Sequence, residues 1–120
     1  MKGRVLTAAV LILALLSGGV VCRNRVEMCC GEVERLLALA EADGRPTALK
    51  EAMAVWESNL PLLSCVLNHD RLERVGEGLA RAEGFLEAGD QPAFWAQIGA
   101  LRYLLEDIRE YDDIRLQTLL

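Results

Sequence analysis

The chain has one histidine, His69, among its 120 residues. No second imidazole exists to complete a metal centre, and the four cysteines lack the CxxC…CxxC spacing of a structural zinc site. Other chemical signatures are missing too. There is no GxxxxGK(S/T) loop to cradle phosphates, no GxSxG nucleophile elbow, no HExxH helix and no calcium-binding EF-hand loop. An excess of positive charge is also absent. The whole chain carries 13 Lys and Arg against 18 Asp and Glu. Lys2 and Arg4 are the only charged residues among the first 22, so the remainder carries a net charge near −7. That balance excludes a nucleic-acid surface, whose phosphates need a basic face. It equally excludes peripheral docking onto anionic lipid.

One long stretch lacks charge altogether. Val5–Val21, VLTAAVLILALLSGGVV, lies between Lys2/Arg4 and Arg23/Arg25. Seventeen helical residues span roughly 25 Å, against about 30 Å of bilayer hydrocarbon. Cys22 extends the run, and the flanking basic side chains reach back to cover the shortfall. The stretch has no polar stripe of the kind a soluble core helix shows. The adopted reading is an uncleaved signal anchor at residues 1–22. One alternative is a cleaved signal peptide, for which Ser17-Gly18-Gly19 offers a small-residue site. A lipoprotein acylated at Cys22 fits less well, because Gly19-Val20-Val21 is a poor approach to such a cysteine. Basic residues flank both ends almost equally. The short basic leader favours the N-terminus inside, which puts residues 23–120 outside the cytoplasmic membrane as a single-pass protein.

Residues 23–120 read as one all-α domain of three or four helices. The first helix, Asn24–Ala42, has its apolar face at Val26, Cys29/Cys30, Val33, Leu36/Leu37 and Ala40. It runs on from the anchor, with Asn24 and Gly31 as weak points, and stops at Asp43-Gly44. The second, Thr47–Leu67, follows Pro46 and places Leu49, Met53, Trp56, Leu60, Leu63 and Leu67 on one face. Pro61 falls inside it and predicts a kink or break near Ser58–Asn59. Asn68-His69-Asp70 then caps a third helix, Asp70–Ala88, with face Leu72, Val75, Leu79, Ala82 and Leu86. Its glycines weaken it, although Gly78 and Gly84 also suit close helix approach. Gly89-Asp90 and Pro92 lead into a fourth, Ala93–Ile114 or beyond. Phe94, Ile98, Leu101, Leu105 and Ile108 form its bundle seam, which Leu104 and Tyr111 widen. A tail with Leu116, Leu119 and Leu120 either packs back or is left for a partner.

Glu41–Pro46 and Glu87–Pro92 resemble one another 46 residues apart. Each joins two amphipathic helices, so the expected architecture is an antiparallel bundle of two stacked helical hairpins behind the N-terminal transmembrane helix.

Candidate chemistry is thin. Cys65 and His69 share a face if one helix carries both, which is half of an activated thiol or metal site. A turn role for His69 explains it as well. Cys29, Cys30 and Cys65 are read as free thiols acting as small apolar residues, with a bridge from Cys65 to Cys29 or Cys30 as the alternative. Glu106, Asp107, Glu110, Asp112 and Asp113 crowd the last helix. Arg102, Arg109 and Arg115 interleave with them, which favours a solvated, salt-bridged face over a cation site. Trp56 reads as core; Trp95, beside the Phe94 seam position, reads as a candidate contact surface.

Trp56, the segment LNHDRLERVGEGLARAEGFLEAGD (Leu67–Asp90), and ALRYLLEDIREYDDIRLQTLL (Ala100–Leu120) resemble, together with the basic-then-apolar N-terminus, domain-of-unknown-function family 4363. This is a family of short bacterial proteins common in anaerobic spore-forming Firmicutes. The resemblance covers nearly the whole chain and rests on order and spacing, with the cysteines and Pro61 as departures. It implies a helical, membrane-anchored protein and supplies no mechanism; His69 matches the family's histidine. The expected function is therefore a non-catalytic interaction module for a membrane or envelope partner, with no cofactor, no metal and no assigned catalytic or binding residue. The alternative is a thiol-based redox or metal-responsive protein using Cys29, Cys30, Cys65 and His69.

Overall fold

A computed structural model describes residues 2–119, and their side chains except at positions 19, 22 and 112–119. Four helices follow one another: α1 (Lys2–Asp43), α2 (Pro46–Val66), α3 (His69–Ala88) and α4 (Gln91–Leu119). No strand occurs among the described residues. Two-residue connections force each helix to turn back on the one before it. Contacts join α1 to α2, α3 to α4, α1 to α4 and α2 to α3, so the four form an antiparallel ring made of two hairpins.

The turns are built by the residues that punctuate the sequence, though the two similar hexapeptides close differently. Gly44, at φ 60°, donates its N–H to the Ala40 carbonyl at 2.8 Å, a single-bond left-handed cap. Gly89, at φ 72°, donates to Leu86 while the Asp90 N–H reaches the Phe85 carbonyl at 3.0 Å, the two-bond Schellman closure. At the α2–α3 turn the Asn68 side chain accepts from the Asp70 N–H at 3.1 Å. Asp90 opens α4 by accepting from the Ala93 N–H.

The core contains every residue expected on the first helix face and on the α4 seam: Val26 through Ala40 in α1, and Phe94, Ile98, Leu101, Leu105 and Ile108 in α4. Trp56, Leu49, Leu63, Leu72, Val75 and Leu79 fill it from α2 and α3. Gly78 admits α4: a Cβ there would stand 2.7 Å from Leu101 Cδ2. Gly84, by contrast, faces open space.

One feature departs from the sequence reading. No break occurs at Pro61; α2 is a continuous 21-residue helix. Proline removes one donor, and the carbonyl it would have served belongs to Glu57, an exposed residue open to water. Ser58 Oγ and Asn59 Nδ2 both donate to the Val55 carbonyl, and burial of Trp56 and Leu63 on either side holds the helix through the defect. α1 runs on from the apolar segment as the sequence reading expects, unbroken for 42 residues past both Asn24 and Gly31. A helix of that length is roughly 63 Å long, and the molecule measures 69 × 23 × 21 Å. The apolar N-terminal half therefore projects from the bundle. Its 18-residue apolar window is 0% buried, and its length and composition suit a membrane crossing.

Antiparallel ion pairs set the register of α4. Arg102 meets Glu41 at 2.5 Å and Arg109 meets Glu34 at 3.0 Å, seven residues apart on each helix. On the opposite flank Arg71 of α3 reaches Asp107 at 2.9 Å and lies 4.1 Å above the Tyr111 ring. Among the described residues, the ion pairs of α4 thus run to its neighbours α1 and α3. The side chains of Asp112, Asp113, Arg115, Leu116 and Leu119, and Leu120 as a whole, lie outside the described residues.

Candidate functional site

His69 and Cys65 do not share a helix. α2 ends at Val66, Leu67 and Asn68 are extended, and His69 begins α3. His69 is exposed and places Nε2 2.9 Å from Glu73 Oε1, one turn on. Cys65 is a free thiol, as the sequence reading has it, but it is exposed and donates to the Pro61 carbonyl at 3.3 Å rather than packing as a small apolar residue. Cys29 and Cys30 do behave that way and are both buried in the core. Burial pushes the Cys29 thiol up to about 11, the opposite of what a reactive thiolate needs. No group of three or more His, Cys, Asp or Glu side chains converges among the described residues. Cys22 lies outside the described side chains.

The concave feature of the bundle is elsewhere. Between α2 and α3 runs an apolar groove of about 470 Å³. Met53, Trp56, Leu60 and Pro61 line one wall, and Leu72, Gly76 and Leu79 the other. Met53 and Leu60 sit on the apolar face read from the sequence, yet both stay only half-buried, because α3 does not close over them. Gly76 explains part of the gap: a Cβ there would touch nothing within 4 Å. Ser64 and His69 lie at the end of the groove beside the α2–α3 turn. Glu57 and Glu73 stand on opposite rims, one from each helix, and both are exposed. Trp56 is 1% exposed, and its indole N–H is buried without an acceptor.

The groove was not legible as such. Its signal in the sequence was Pro61 and Gly76 in adjacent helices, each removing material from a wall, and it appears only once the two helices are set side by side. A second cleft, between α1 and α4, is lined by Glu27, Glu34, Arg102, Glu106, Arg109 and Glu110. The Glu34–Arg109 pair and Arg102, which is paired to Glu41, occupy much of it. On the far face of α4, Trp95 is 51% exposed, as its off-seam position predicts.

A family model described as Domain of unknown function (DUF4363) matches residues 32–119. The match covers the last twelve residues of α1 and all of α2, α3 and α4, and it begins after the apolar segment and after Cys29 and Cys30. No curated protein and no solved structure matches the chain.

Proposed function

The chain belongs to that family, whose description assigns no activity, and we propose that it is a single-pass membrane protein whose helical bundle is a non-catalytic interaction module for a membrane or envelope partner. Residues 1–22 are the anchor in this reading and residues 23–120 the bundle, facing outward from the cytoplasm. One observation carries it above the others. The N-terminal half of α1 is apolar on every side, long enough to cross a bilayer and, among its described side chains, adds nothing to the core, which begins at Val26. In water that surface would be a large exposed apolar patch; in lipid it is satisfied.

The bundle supports the second half of the proposal by what it offers. It presents an acidic surface, an open apolar groove and an exposed tryptophan. The alternative thiol or metal reading draws less support, with Cys29 and Cys30 sealed in the core and His69 on the far side of a helix break from Cys65.

Fractionation of cells making the full chain tests the reading. The expected result is recovery with membranes through alkaline carbonate extraction at the full-length mass. A protein found in the soluble fraction, or shortened near Ser17–Gly19, overturns the anchor.

A further inference from the structure

We propose that the groove between α2 and α3 is the docking site for a basic amphipathic helix carried by a partner at the same membrane face. The inference rests on the membrane-anchored interaction module proposed above and names its surface.

The shape comes first. The groove is open along its length rather than closed into a cavity, and Gly76 leaves space in its floor that no side chain of the bundle fills. Such a trough accepts the apolar stripe of a helix, with residues recurring every three or four positions.

Charge selects the occupant. Glu57 on α2 and Glu73 on α3 flank the apolar floor from opposite sides, and residues 23–120 carry a net charge near −7. A helix seated between them is matched by Lys or Arg along both edges of its apolar stripe and repelled by Asp or Glu there.

Topology supplies the location. α1 enters the bundle from its apolar half, α2 returns toward that end, and the α2–α3 turn lies there. The groove opens at that turn, through Ser64 and His69. With the apolar half of α1 in lipid, the open end faces the membrane surface.

The test places a photoreactive p-benzoylphenylalanine at Ser64, an exposed position lining the groove, in the full-length chain made in its own source cells. The cross-linked segment is identified by mass spectrometry. The expected adduct lies on a partner segment with apolar residues at three- and four-residue spacing edged by Lys or Arg. An adduct on lipid, on a second copy of this chain or on an acidic segment overturns the proposal, as does no adduct.

Two variants sharpen it. Gly76→Leu puts a side chain into the floor, where its Cβ meets nothing within 4 Å, and is expected to lower the adduct yield at least tenfold while thermal unfolding stays unchanged or rises. Should that variant fail to fold, Glu57→Lys with Glu73→Lys reverses both exposed rims and is expected to give the same loss. An unchanged yield in a folded variant overturns the proposal. The same probe at Trp95, on the outer face of α4, separates the two levels of inference. An adduct there with none at Ser64 leaves the interaction module standing and removes the groove; none at either position removes both.

Discussion

Gly76 and Gly78 sit two residues apart on α3 and meet opposite surroundings. Open space lies over Gly76, whereas Gly78 is pressed against Leu101, itself fully buried. Substitution by alanine therefore separates helix propensity from packing. Gly76→Ala is expected to stabilise the bundle by up to about 1 kcal/mol, the intrinsic helix preference of alanine. Gly78→Ala gains the same propensity but forces Leu101 to move in a packed core, and overpacking of this kind costs about 1–3 kcal/mol. Chemical denaturation of both variants is expected to show opposite signs; the same sign in both would mean the α3–α4 contact is looser than described. The cysteines divide as sharply. Cys65 is expected to react with iodoacetamide in the folded protein, and Cys29 only on unfolding, as peptide mass mapping would record. Cys29 also links stability to pH. Its folded pKa of about 11 stands above the ordinary thiol value of 9.0, so the folded state keeps a proton that the unfolded chain releases between those values. Stability is full below pH 9 and falls as pH rises toward 11, by an amount on the order of 2 kcal/mol. Cys29→Ala is expected to flatten that part of the pH profile; an unchanged slope would assign it elsewhere.

At the scale of the element, α2 departs furthest from its sequence. Pro61 predicts an interruption because proline in a helix interior costs about 3 kcal/mol. That penalty is local, while the burial of Trp56 and Leu63 that offsets it depends on α1 and α3 being in place. Local propensity is visible in the sequence and tertiary compensation is not. Pro61→Ala restores a donor to the Glu57 carbonyl and is expected to raise stability by about 1–3 kcal/mol in thermal unfolding; a loss would mean the bundle requires the proline. α4 was legible for the opposite reason. Its steps of four and three residues place all five seam side chains in the core, and periodicity alone suffices where no defect intervenes. What periodicity leaves open is partnership across helices. Arg102 and Arg109 have acidic neighbours along α4, yet they pair with Glu41 and Glu34 of α1. The groove was hidden likewise: Met53 and Leu60 belong to a core face by spacing, and only the position of α3 shows that they stay half-exposed.

For the whole molecule, the central feature is the continuity of α1. One 42-residue helix is apolar on all sides at its start and supplies one wall of the core at its end. A linker would let the bundle tumble at the membrane surface. An unbroken helix instead fixes the bundle relative to the apolar segment, and it holds the α2–α3 turn and the mouth of the groove at the end of the bundle from which that segment projects. In this account the bundle works as a surface presented at a set position, and its chemistry is that of recognition. The most direct measurement is carbonate extraction followed by protease treatment of intact cells producing the full-length chain. The expected result is a protein that stays with the membrane at full mass and whose bundle is digested from outside. A protein released by carbonate, cleaved near Ser17–Gly19, or protected until the cells are opened would contradict the anchored, outward-facing bundle.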